Sequence, residues 1–179
     1  PISPIDFWLI DTYVFFSISL FPAFSFTLAL IAGAATLFID FLENGKWKTV
    51  YAICLLAITS QLTNPIAFAT IDFAFTGVVI FNWWQNRKIE TKQFYALFLI
   101  AVAQLPLLIY NFIILSRDPL WSQFTAQNQT LSPPLSYYFW GLAPFLLFSI
   151  LGITRAFYEK NKNLILLSIW SITGVLLAY

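Results

Sequence analysis

Residues 94–115 read FYALFLIAVAQLPLLIYNFIIL, and this stretch decides the fold. It holds 22 residues without one Asp, Glu, Lys or Arg, bounded by Lys92 on one side and Arg117 on the other. As a helix it would be about 33 Å long, close to the ~30 Å hydrocarbon core of a bilayer. Lipid offers the backbone no hydrogen-bond partner, so a run of this kind crosses as a helix. The whole chain agrees: it is 60% hydrophobic, 20% aromatic and 9% charged, with a mean hydropathy of +0.79. A soluble domain is roughly a quarter charged, so there is too little polar surface here to cover a water-facing globule. The reading is an all-α, polytopic integral membrane protein with about six transmembrane helices and no soluble domain.

Five more apolar runs lie on either side, at roughly 13–39, 49–63, 66–82, 137–154 and 163–179, against the ~17–25 residues that a span needs. Residues 1–179 thus form one transmembrane domain, with an outer loop at 116–136. The breaks have physical causes. Glu43-Asn44-Gly45-Lys46 is a polar turn with a helix-ending glycine, and Thr63-Asn64-Pro65 joins a capping residue to a proline that only a helix start tolerates. Charged links are expected at 86–93 and 155–163. The first run is too long for one straight span and contains Pro22, so 11–20 is an interfacial or re-entrant lead-in and the span proper is about 22–41. The run 49–63 is short and ends in Thr59-Ser60-Gln61, which suits a helix stopping in a protein-lined cavity.

With six spans, Lys46, Lys48, Arg87, Lys88, Lys92, Arg155, Lys160 and Lys162 fall on one side, and only Arg117 on the other. The positive-inside rule makes the first side cytoplasmic and places both termini outside. Trp47, Trp83, Trp84, Trp121 and Trp140 stand near predicted span ends, where aromatic belts form. The lipid bilayer is the first implied partner.

Other chemistries are excluded by composition. Nine Lys and Arg scattered among eight acids give a net charge of +1, not the clustered basic surface that nucleic acid requires. The chain has no His, hence no imidazole base and no His-ligated metal, and no metal or cofactor is expected. The single Cys54 lies in an apolar run and reads as a small buried hydrophobe. The chain starts at Pro1 and contains no Met, so it is expected to be processed or to be the ordered part of something longer.

The candidate site residues are polar groups inside apolar runs. Asp72 stands about 10 Å below the outer surface if its helix starts near 66, and an ionisable group at depth is a functional candidate by default. Asn111 lies at similar depth on the oppositely running span, and Gln104, seven residues earlier, lies on nearly the same face. Pro106 between them should kink the helix and free a carbonyl. Ser60, Gln61, Thr63 and Asn64 add to a polar outer half. Two accounts stay open: interhelical hydrogen bonding, or a polar cavity open to the outside. Arg117, the one external cation, suits a lipid phosphate or pairs with Asp118. Asn128-Gln129-Thr130 fits a glycosylation sequon. No phosphate-binding glycine loop, Cys cluster or paired-carboxylate motif occurs.

The stretches LPLLIYN at 105–111, DPLW at 118–121 and QNQTLSPP at 127–134 with Tyr137 and Tyr138 resemble a known group, as do FPAF at 21–24 and TNP at 63–65. Together they resemble the C-terminal membrane half of bacterial GT-C-type, mannosyltransferase-like glycosyltransferases. The resemblance implies a bacterial inner-membrane protein that transfers sugar from a polyprenyl-phosphate donor at the outer face. In that case Asp72, Asn111 and Arg117 would line the donor site. Two positions depart from the family pattern: a His often stands where this chain has Ala23, and another where it has Asn64. The family's catalytic acid usually sits in a first external loop, and this chain is expected to start after it. The reading is therefore a non-catalytic subunit or remnant within a larger membrane complex, in contact with other membrane subunits. An active glycosyltransferase part is the alternative, and a transporter built around Asp72 the third reading.

Overall fold

The computed structural model describes residues 22–88, 90–120, 123 and 135–177. Six helices order these residues: α1 (Pro22–Asn44), α2 (Trp47–Thr63), α3 (Ala67–Asn86), α4 (Thr91–Arg117), α5 (Leu135–Glu159) and α6 (Lys162–Leu177). Among the described residues there is no strand. The proposed lead-in at 11–20 lies outside the described residues, as do 121, 122 and 124–134 of the outer loop and Trp121 within it.

Local chemistry sets the ends. Pro22 occupies the first position of α1, where its missing N–H costs nothing. Gly45 ends α1 with φ +64, and its N–H donates to Phe41 O at 2.8 Å. A Cβ there would stand 2.9 Å from Lys92 Nζ, a flexible side-chain end that can move aside, so it is the positive φ that favours glycine. Asn64 turns the chain from α2 into α3: its N–H donates to Ser60 O at 2.8 Å and its Oδ1 accepts from Ile66 N–H at 3.1 Å. Arg87 closes α3 in the left-handed region, at φ 54. Asn161 Oδ1 accepts from Asn163 N–H at 3.0 Å and caps α6.

The helices overrun the apolar runs. α3 continues to Asn86, α4 to Arg117 and α5 to Glu159, which shortens the expected charged links to 87–90 and 160–161. Hydrophobicity marks the hydrocarbon layer, whereas backbone hydrogen bonding continues through the polar interface.

α3 is the central helix, touching α1, α2, α4 and α6; α1 packs most extensively on α2, and α5 is held through α6. The core is aromatic and aliphatic. Phe38 of α1 stacks on Phe75 of α3, with centroids 4.1 Å apart and planes 2° from parallel. Val50 and Ile53 of α2, Ile71 of α3 and Ile100 of α4 are buried around them. Close approach has one sharp requirement: a Cβ on Gly77 of α3 would lie 2.6 Å from Ile169 Cγ2 of α6.

The outside is apolar too. Leu55 is 66% exposed, Phe98 68%, and Phe112 and Phe148 73% each. Three stretches, Ser25–Asn44, Ala67–Asn86 and Thr91–Ile114, are long and apolar enough to cross a membrane. A helical bundle with an apolar outside is built for lipid contact, and the protein is membrane-associated.

Candidate functional site

Where α2, α3 and α4 meet, the structure brings together three of the polar residues singled out in the sequence: Gln61, Asp72 and Gln104. Asp72, half-buried, accepts a hydrogen bond from Gln104 Nε2 at 3.0 Å. The same nitrogen lies 3.3 Å from Ile100 O, one helical turn back, which fixes its orientation. Gln104 is the central residue of α4, with thirteen residues on either side, or about 20 Å of helix each way.

Gln61 addresses the backbone of α4. The neighbouring groups orient its amide so that Nε2 donates to Gln104 O at 3.2 Å and Oε1 accepts from Leu108 N–H at 3.1 Å. These two backbone groups flank Pro106, which has no N–H to give and so leaves the Val102 carbonyl without its helical donor. A side-chain amide therefore braces the rung next to the proline. Gln61 and Gln104 are each 1% exposed. Gln104 Oε1 is buried and accepts no hydrogen bond among the described residues.

Hydroxyls extend the polar layer to α1. Thr27 Oγ1 and Thr63 Oγ1 are 2.7 Å apart. Ser60 Oγ donates to Ala57 O at 2.8 Å and Thr63 Oγ1 to Ser60 O at 2.9 Å, so both hydroxyls also satisfy their own helix. The outer turn of α2 is thus tied to α1 by hydroxyls and to α4 by an amide.

The other candidates stay apart. Asn64 is used in the α2–α3 turn. Asn111 is half-buried, seven residues beyond Gln104, and forms no hydrogen bond with the cluster. Arg117 is exposed in the last turn of α4, where the helix dipole favours a cation. It lies thirteen residues past Gln104, roughly 20 Å along the helix, so it does not converge with Asp72 on one ligand. Asp118 terminates α4: its N–H donates to Ile114 O at 3.0 Å and its Oδ1 accepts from Leu120 N–H at 2.9 Å.

At the opposite end the cations gather. Lys92 Nζ lies over Gly45 in the α1–α2 link. Phe81 of α3 meets Phe157 of α5 edge-on at 5.1 Å, which puts the α3–α4 and α5–α6 links at one end. Trp47, Trp83 and Trp84 stand exposed at this end, and Arg87 lies 6.0 Å over the Trp84 ring. Trp140 falls within α5, away from these links.

The class is then a helical membrane bundle whose interior polar groups are joined across three helices by amide hydrogen bonds. No family model matches the chain, and neither a curated protein nor a solved structure matches it. Sequence reasoning missed Thr27 and Gly77. A threonine in an apolar run and a mid-span glycine were the available signals, and both are common residues in membrane helices.

Proposed function

We propose that this chain is a six-span, non-catalytic integral membrane subunit that packs within a larger membrane complex. Its cation-rich end faces the cytoplasm and both termini face outward. The observation that carries the reading is the use of Gln61 and Gln104: both are fully buried, Gln61 bonds to the backbone of α4 through both ends of its amide, and Gln104 Nε2 donates across to Asp72. A donor site for a polyprenyl-phosphate sugar needs a cation and a carboxylate converging on one space, and Arg117 lies about 20 Å along α4 from Gln104, the partner of Asp72. α4 instead turns Tyr95, Phe98, Val102, Ile109 and Phe112 outward, a face suited to lipid or to further spans.

Two measurements test this. Gently solubilised from its own membrane, the protein should migrate as an assembly containing other polypeptides, well above the 20.5 kDa of these 179 residues, and membranes lacking it should keep polyprenyl-phosphate-dependent sugar transfer. A monomer whose membranes lose that transfer, and lose it again in Arg117→Ala, would establish the enzyme instead. For topology, a cysteine placed at Gln127 should react with an impermeant thiol reagent from outside, and one at Asn161 should not. The reverse pattern overturns the orientation, and reaction at both overturns the six-span arrangement.

A further inference from the structure

Near the charged end of the α5–α6 pair, Ala156 of α5 and Ile165 of α6 are buried. A groove of about 190 Å³ opens there, lined by Ser149, Gly152 and Ile153 of α5 and by Leu164, Ser168 and Ser171 of α6. Nothing stands within 4 Å of the place a Cβ on Gly152 would take. Two of the three serines are already satisfied by their own helix: Ser168 Oγ donates to Leu164 O at 2.8 Å and Ser171 Oγ to Leu167 O at 2.9 Å. They act as small side chains that leave room.

Length and charge say what fits. Ser171 lies nine residues from Lys162, and Ser149 ten from Glu159, so the groove reaches roughly 14–15 Å from the charged end. One leaflet of hydrocarbon is about 15 Å deep. In the turns next to the lining residues Ile153 and Leu164 stand Arg155, Glu159, Lys160 and Lys162. Arg155 Nε is paired with Glu159 Oε1 at 2.6 Å, so the two lysines are the surplus charge. A transmembrane helix about 10 Å across would rest on the rims of this opening and put only side chains into it. A single acyl chain is slender enough, and an acidic head group meets the lysines.

We propose that the α5–α6 groove seats one acyl chain of an anionic glycerophospholipid of the leaflet on the basic side, with its phosphate and acidic head group held by Lys160 and Lys162. This rests on the reading that α5 and α6 span the membrane with residues 160–161 at the cytoplasmic face. Anionic lipid enriches that leaflet, and basic clefts between spans are where such head groups settle.

The test uses the full chain in bilayer discs containing phosphatidylglycerol and phosphatidylcholine in equal amounts, with retained lipid counted by native mass spectrometry. One phosphatidylglycerol should be retained in preference to phosphatidylcholine. Lys160→Gln with Lys162→Gln should cut that preference by about thirty-fold, at roughly five-fold per lysine near the surface. Gly152→Leu fills the groove without touching the charge and should abolish retention while helix content by circular dichroism is unchanged. Lys46→Gln with Lys48→Gln, at the same end but away from the groove, should leave it intact. Equal retention of the two lipids, or retention that ignores Gly152→Leu, overturns the proposal, as does a two-chain species that Gly152→Leu dissolves. A cysteine at Asn161, in a Cys54→Ser background, separates the failures. Labelling from outside overturns the topology, whereas protection from outside with no lipid preference overturns the lipid seat alone.

Discussion

α3 and α4 are neighbours in the chain and in the bundle, and both are long and apolar enough to cross a membrane, yet they are built in opposite senses. Of the most apolar stretch of α3, 44% is buried inside the protein; of α4, 11%. α4 is nonetheless the more hydropathic of the two. α3 buries a broad surface that includes Ile71, Ala74, Phe75, Val78, Val79 and Asn82. α4 buries one narrow stripe, Gln93, Ala96, Ile100 and Gln104, and both ends of it are amides. In water the more apolar helix would go inside. In lipid apolar side chains gain nothing by leaving the solvent, so small and polar residues mark the contacts.

The sharpest way to break this contrast is to truncate one phenylalanine on each helix. Phe75 of α3 is 1% exposed and stacked on Phe38, and Phe75→Ala leaves a cavity that the bundle cannot fill. It should lower unfolding free energy by about 3 kcal/mol. Phe98 of α4 is 68% exposed, and Phe98→Ala should stay within about 0.5 kcal/mol. Unfolding of both variants in mixed micelles reads the two numbers side by side. Similar losses would mean that α4 is as enclosed as α3 and would end the comparison.

A finer probe sharpens it at the buried stripe of α4. Gln61 braces the rung flanking Pro106, so Gln61→Leu should cost between about 0.6 and 1.7 kcal/mol, the range for hydrogen bonds between membrane helices. Pro106→Ala restores the missing N–H and relaxes the site. In that background Gln61→Leu should cost less, and the cycle should show coupling of at least about 0.5 kcal/mol. Strict additivity would mean that Gln61 merely fills space.

Much of this architecture was legible in the chain, for a reason peculiar to membranes: lipid forces apolarity onto every span. Gly45, Asn64 and Pro22 announced their turns and starts because the backbone conformations there admit few residues. Asp72, Gln104 and Gln61 stood out as polar residues in apolar runs, but their partnership did not. It depends on which helices pack together and in what register, across a separation of 32 residues for Asp72 and Gln104. The same register parts Arg117 from Asp72, although both read as outer-half residues. Helix ends were read short at Asn86, Glu159 and Arg117, since hydrophobicity stops before hydrogen bonding does. The opening between α5 and α6 depends on which small residues face each other, Gly152 with Ser149 on one helix and Ser168 with Ser171 on the other, and that pairing is not read from either run alone.

The smallest effect sits in the link that joins the compared helices. Arg87 ends α3 at φ 54, a conformation that an L side chain adopts at some cost, and its N–H donates to Trp83 O at 2.8 Å. That bond belongs to the backbone and survives any substitution except proline. Two terms change when the side chain goes: the left-handed strain, about 1 kcal/mol, and the contact of the guanidinium with the Trp84 ring, 6.0 Å from its centroid. At an exposed site that contact contributes about 0.5 kcal/mol. Arg87→Ala loses the contact and keeps the strain, so it should destabilise by about 0.5 kcal/mol. Arg87→Gly loses both and should stabilise by a similar amount, a net of about 0.5 kcal/mol. The difference between the two variants, about 1 kcal/mol, isolates the strain, because the ring contact is absent from both. If Ala and Gly unfold alike, the α3–α4 link does not hold the left-handed turn, and the register that sets the central helix against the outer one must be fixed within the bundle instead.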